Sequence, residues 1–419
     1  MNVRGLILAS AVLCAAPYGV CADTMNGTFD PRFRTLQVLV NGNEQTIPVI
    51  ALNGDDRVTI IFDELAEDRH YYEYSLVHCN ADWQPSGLVD SEFLDGFNVG
   101  RVEDYDFSDA TTVHYVHYRI TLPNEDMRIT ASGNYLLRVY PENDPENVLL
   151  QARFSVTEYS MKVSAGVTSR TDIDYNDRHQ QLSVIVDTDK FNPNNIYSDM
   201  TVVVTQNGRE DNAVTLRQPM RVSGSVAYYE HMRPLIFDAG NEYRRMETVS
   251  MTYPGMRVEE IVYAAPYYHQ RIQADRPRAM GNYSFDSTQH GRFKVREYNS
   301  TNSDIGADYA MTHFTLDMPQ LEKYDIFLDG DFTYRRFAPE SRMYYNTSTG
   351  RYETSLLLKQ GAYNYQYLAV PHGLSRGETA VVEGDFYPTV NEYVVKVYCR
   401  RPGERYDRLT AVSAVYSGQ

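Results

Sequence analysis

Short runs of β-branched and aromatic residues, ended by Asn-Gly or Asp-Gly pairs, punctuate the whole chain. Residues 36–40 (LQVLV) stop at Asn41-Gly42, 46–52 at Asn53-Gly54, 200–205 (MTVVVT) just before Asn207-Gly208, and 324–328 at Asp329-Gly330. Asn and Gly tolerate positive φ, so such a pair between apolar runs is the strongest short-range hairpin signal. Pro48 lacks an N–H and restricts its run to a strand start or a sheet edge. Further strand patterns fall at 57–62, 70–77, 112–121, 135–139, 153–156, 182–186, 311–316, 354–358, 364–368, 392–399 and 411–416. No long stretch carries the helical period, and residues 91–97 hold at most one helical turn. Residues 254–303, rich in Tyr with Pro266 and Pro277, read as strands joined by long loops.

This pattern predicts an all-β protein, with three immunoglobulin-like or β-sandwich domains in series at 23–157, 158–306 and 307–419. Residues 1–22 read as a cleaved signal peptide: Arg4, an apolar core over 5–19, then Val20-Cys21-Ala22. Past that leader no apolar run is long enough to cross a bilayer. Cleavage leaves Cys79 and Cys399, without CxxC spacing; they read as buried small apolar residues, a disulfide being left open. The formal net charge of -17 argues against nucleic acid and anionic lipid as partners.

Catalytic, cofactor and metal motifs are not found. The chain has no G-x-S-x-G elbow, no H-E-x-x-H and no phosphate loop. On a strand, His114 and His117 point to opposite faces and do not share a metal. Asp63-Glu64, Glu103-Asp104 and the group Asp172, Asp174 and Asp177 are the acidic runs; the last lacks the turn glycine and closing glutamate of an EF-hand, and solvated acidic loops are the expectation, with a looser calcium site as the alternative. Tyrosine is in excess, 35 against 16 Phe and 1 Trp, a composition that suits protein interfaces and the wet edges of sandwiches. In the run Asn241-Glu242-Tyr243-Arg244-Arg245, a strand would turn the two arginines to opposite faces, and an internal ion pair that fixes a loop is the expectation.

Residues 78–97 (HCNADWQPSGLVDSEFLDGF) hold the only tryptophan, Trp83. With 116–123 (VHYRITLP), 132–140 (SGNYLLRVY), 237–248 (FDAGNEYRRMET), 355–368 (SLLLKQGAYNYQYL) and 383–398 (EGDFYPTVNEYVVKVY), this run resembles the plug protein family of the bacterial type IX secretion system. The match rests on His78, Asn80, Asp82, Trp83, Gly96, Phe97, His117, Tyr118, Pro123, Gly133, Asn134 and Tyr135, then on Asn241, Glu242, Tyr243, Arg244 and Arg245. The resemblance implies a non-enzymatic periplasmic subunit, without cofactor or membrane span. Such a subunit binds the giant outer-membrane β-barrel translocon and closes its periplasmic side, and its motif residues serve structure or interface. Residues 324–332 and 350–367 also resemble immunoglobulin-like domains of the glycogen-binding type, with Tyr334 where a sugar-stacking tryptophan is expected. A periplasmic or surface carbohydrate-binding protein is therefore the alternative.

Overall fold

A computed structural model describes residues 24–418; the leader expected at 1–22 lies outside them. The regular structure of the described chain is almost all strand, with helices of single turns such as Asp90–Phe93. Among these residues no helix is long and apolar enough to cross a membrane.

The first sandwich faces two sheets against each other. One sheet orders Gly27–Thr28, Leu150–Thr157, Gly133–Pro141, Tyr72–Cys79 and Gly100–Arg101, with Val49–Ala51 also on Leu150–Thr157. The other orders Phe33–Val40, Val58–Glu64, Val116–Leu122 and Asp104–Phe107. Alternate residues of both sheets, including Ile60, Phe62, Tyr118, Ile120, Tyr135, Leu137 and Phe154, make one core. Phe62 stacks on Tyr118 with ring centres 5.3 Å apart, and Tyr135 on Phe154 at 5.4 Å. Val49–Ala51 begins directly after Pro48, as the missing N–H requires.

The remaining strands correct the expectation of domains in series. Lys162–Thr168, His179–Asp187 and Val226–Tyr229 pack over a sheet ordered Arg209–Leu216, Met200–Gln206, Glu392–Cys399 and Arg408–Tyr416. The last two strands of the chain thus complete the middle sandwich, and Val395, Val397 and Ala411 share a core with Leu182, Val184, Val202 and Val204. The third sandwich is inserted between them. Its sheet runs from Arg244–Glu247 through Gly361–Pro371, Tyr324–Asp329, Arg342–Asn346, Arg351–Lys359, Tyr309–Leu316 and Tyr267–Ile272 to Val258–Ala264. Residue 306 is therefore no boundary, because strands on both sides of it share that sheet. The physical reason is pairing: Met200–Gln206 needs partners on both edges, its hairpin supplies one, and Glu392–Cys399 the other.

The Asn-Gly signals also divide. Gln206 pairs with Arg209 across Asn207-Gly208, whose φ values of 51° and 71° make a true two-residue hairpin. Asn41-Gly42 turns the chain too, but Phe33–Val40 pairs with Val58–Glu64, and Val49–Ala51 leaves to join the opposite sheet.

Candidate functional site: the buried seams between sandwiches

The run around Trp83 builds the seam between the first and middle sandwiches. Past Tyr72–Cys79 the chain makes a tight turn in which Trp83 N–H donates to Asn80 O at 3.0 Å and Asn80 N–H to Gln84 O at 2.8 Å. Trp83 itself has φ of 62°. The turn sets the indole on the outer face of the first sandwich beside Cys79 and Leu136. The Arg153 guanidinium lies 4.1 Å from the Trp83 ring centre, and Lys396 of the middle sandwich 5.4 Å from it.

Asn134 is the node of this seam. Its Nδ2 donates to Asn80 O at 2.9 Å, while its Oδ1 accepts from Ser155 Oγ at 2.8 Å and from the Tyr398 hydroxyl of the middle sandwich at 2.9 Å. Asp407 closes the other side, accepting from Ala81 N–H at 3.0 Å and donating its own N–H to Asn80 Oδ1 at 3.2 Å. His78 is buried, held by Ser86 Oγ at 2.8 Å and Ser132 O at 3.0 Å, and meets Tyr406 edge-on at 5.1 Å. Burial holds its imidazole below the usual histidine range. Gly133 is required there: a Cβ on it would fall 2.6 Å from His78 Nε2, at a φ of 140°.

Asn241–Arg245 form a neck between the middle and third sandwiches. Asn241 Nδ2 donates to Glu383 O at 2.8 Å, and Val390 N–H donates to Glu242 Oε1 at 3.0 Å. The outgoing and returning chains are thus tied together. The Tyr243 hydroxyl accepts from Arg335 and from Gln366 Nε2, each at 3.0 Å. Arg244 meets Glu383 in a fork at 3.0 Å through both Nε and Nη2, and Asp275 at 2.7 Å, all of them buried. Burial alone would raise the Glu383 carboxyl, but Arg244 together with Arg278, whose Nε donates to Glu383 Oε2 at 2.7 Å, holds it down to about 2. Arg245 turns the other way, to the half-exposed Asp286 at 2.9 Å. Glu242 has the opposite shift: burial raises it, and its Oε2 finds no partner.

A third seam joins the first and third sandwiches. Asp63, expected as part of an acidic pair, accepts from His117 Nδ1, the Tyr309 hydroxyl and Lys359 Nζ, each at 2.6 Å. Asp63 and Lys359 are both 1% exposed. Asp308 adds two bonds from the backbone N–H groups of Thr112 and Val113, at 2.7 and 3.0 Å. A cavity of about 320 Å³ remains where the three sandwiches meet, lined by Trp83, Arg153, Thr205, Tyr334 and Lys396 among others. Desolvation there lowers Lys396 to about 8.

The structure therefore brings His78, Asn80, Trp83, Gly133 and Asn134 to one seam and Asn241–Arg244 to another. Asp82 only caps its own turn, accepting from Gln84 N–H at 3.1 Å. Tyr118 and Tyr135 are core residues of the first sandwich, and Gly96, with φ of 122°, sits where a Cβ would strike Asp126 O. Phe97 stands apart, 81% exposed. Tyr334 is no open sugar platform: it packs against the core of the first sandwich. Cys79 and Cys399 are separate buried thiols, and burial raises them to about 11 and about 12. His114 is exposed on Glu67 at 2.6 Å, while Asp172 and Asp174 bond His231 and His179. Lys359, Asp275 and Glu383 escaped sequence reasoning because each finds its partner in a distant part of the chain. A lysine inside the apolar run at 355–358 and 361–368 was the one available signal for Lys359.

Among the described residues, no group of three or more His, Cys, Asp or Glu side chains is set to hold a metal ion. Fold and seams define a class: a multi-sandwich β protein whose distinctive residues fix its sandwiches to one another. Residues 33–158 match the family model of the type 9 secretion system plug protein first domain, so the chain carries the first domain of that secretion-associated family. A crystal structure of a hypothetical protein from Parabacteroides merdae ATCC 43184 is similar over 94% of this chain and 99% of that one, at 42% identity and a TM-score of 0.92. A Pseudomonas fluorescens alkylpurine DNA glycosylase bound to abasic-site DNA aligns over 30% of each chain at 12% identity and a TM-score of 0.17, too far to carry an argument. No curated protein matches the chain.

Proposed function

We propose that this protein is the periplasmic stopper of the type IX translocon: it binds the outer-membrane β-barrel and closes its periplasmic side without catalysis. The first-domain match supports a role in type IX secretion. The observation that carries the finer reading is the set of three seams, each closed by buried polar or ionic groups. A stopper for a wide pore has to keep one shape under load. Buried hydrogen-bonded networks between packed domains resist relative motion, because opening them strands desolvated groups.

The test is a crosslinked pull-down of the tagged protein from envelopes of its native host, read by mass spectrometry. Recovery of a giant outer-membrane β-barrel subunit is expected. Recovery of the protein free in the medium and never with a barrel would overturn the reading. The carbohydrate-binding alternative loses its residue, since Tyr334 is packed against the first sandwich.

A further inference from the structure

Of the residues that carry the family resemblance, Phe97 is the aromatic that the seams and cores leave unused. It is 81% exposed, yet its backbone is fixed. On one side Gly96 adopts a φ of 122°, where a Cβ would lie 1.9 Å from Asp126 O, and Phe97 N–H reaches that same oxygen at 3.3 Å. On the other side the Asn98 amide imitates a strand partner. Its Oδ1 accepts from Leu76 N–H and its Nδ2 donates to Leu76 O, both at 2.8 Å, with a further bond to Asp90 at 3.0 Å. Val99, also exposed, follows directly. A flexible loop would let the ring fold back onto apolar surface; this one holds it out in water.

The place matters as well. Gly100–Arg101 is the outermost strand of one sheet of the first sandwich, and Asp104–Phe107 of the other. One continuous segment thus forms a lateral edge of both sheets, with the exposed Phe107 at its far end. The surroundings are acidic. Asp90 bonds Asn98, Asp126 O accepts from Phe97 N–H, and Asp95, Glu103 and Glu125 are near in sequence to these positions, against Arg101 and Arg128, paired with Glu142 at 3.2 Å and Asp95 at 2.9 Å, and Arg405, paired with Glu92.

We infer that this edge is a docking surface for a protein partner offering an apolar socket for the Phe97 ring inside a rim of Lys and Arg. A preorganised aromatic in an opposite-charge rim has the anatomy of an interface hot spot. The inference rests on the stopper reading, because it takes the translocon barrel to carry that socket.

The experiment is quantitative capture of the barrel by tagged full-length chains expressed in the native host, comparing wild type, Phe97→Asp, Val99→Lys and, as a control on the third sandwich, Tyr253→Asp. Thermal midpoints are measured in parallel. The expected result is a loss of at least tenfold for Phe97→Asp and a smaller loss for Val99→Lys, at wild-type midpoints. Tyr253→Asp stays within twofold of wild type. Capture by wild type should also fall as salt rises, and Glu103→Lys should weaken that dependence. Wild-type capture by both edge variants would overturn the inference while leaving the stopper reading intact. Failure of the wild type itself to capture a barrel would overturn both.

Discussion

The seam between the first and middle sandwiches and the seams made by the third sandwich solve one problem with different chemistry. At the first, an uncharged network around Asn134 stands beside charges that do not bond Asn134 itself: Lys396 donates to Ser155 Oγ at 3.0 Å, Arg153 lies 3.6 Å from Glu210, and Asp407 accepts from Ala81 N–H. At the others, ions are taken fully out of water: Asp63 with Lys359, and Arg244 with Glu383 and Asp275. A neutral network keeps its bonds across a wide pH range. A buried ionic one is stronger against the loss of geometry but depends on every partner keeping its charge. The two kinds of seam therefore fail under different stress.

The largest effect is expected at Lys359. Lys359→Met leaves Asp63 buried against His117 and Tyr309 without its cation, and should destabilise the chain by about 3–5 kcal/mol in denaturant titration. The double variant Asp63→Leu/Lys359→Met should recover most of that loss. A single-variant loss below about 1 kcal/mol, the level of an exposed pair, would erase the distinction between the seams.

Acid comes next. His290 lies at the joint of the middle and third sandwiches, its ring 5.6 Å from Tyr416, and burial lowers it from 6.5 to about 4. A folded-state pKa below the unfolded one means that the unfolded chain binds more protons between those values. Stability then falls as pH drops from 6.5 toward 4, by on the order of 3 kcal/mol for this residue. Glu383 adds a second loss at lower pH: its stabilisation is present above about 4.5 and disappears toward about 2. His290→Gln should flatten the upper part of the curve. An unchanged slope between pH 6.5 and 4 would show that the acid response belongs elsewhere, with His78 as the next residue to replace.

Asn134→Ala should cost less, about 1–3 kcal/mol, by leaving the Tyr398 and Ser155 hydroxyls without their acceptor and removing one of the two donors to Asn80 O. Measured from about pH 5 to 7, below the range in which Lys396 titrates, that loss should stay constant, and a strong pH dependence would contradict the neutral character of the Asn134 network. The smallest effect belongs to His114→Ala. Its contact with Glu67 is exposed, and a change within about 1 kcal/mol is expected.

The strands of the first sandwich were legible because each has a local signature: alternation, a Pro at the entry of Val49–Ala51, a glycine at the start of Gly133–Pro141. The connectivity of the other two was not, because nothing in residues 392–416 says that their partner lies at 200–206. The opposite facing of Arg244 and Arg245 followed from strand geometry alone, but Glu383 and Asp275 as partners of Arg244 required the fold. Trp83 stood out by being single. Asn98, which fixes the Phe97 loop, looked like any other loop asparagine, since its function depends on Leu76 across the sheet.

The neck at Asn241 has a consequence for how the molecule is made. Because the middle sandwich is completed by Glu392–Cys399 and Arg408–Tyr416, its fold cannot close until residues 392–416 are available to pair with Met200–Gln206. The inserted third sandwich can fold before the one that carries it. Once both are formed, the body is joined by two covalent crossings laced together at Gly240, where Phe386 N–H and Thr389 Oγ1 both donate to its carbonyl at 2.9 Å. A single linker would permit twisting as well as bending. A doubled one resists torsion, so that force applied to one end of the molecule is carried to the other without unwinding between them.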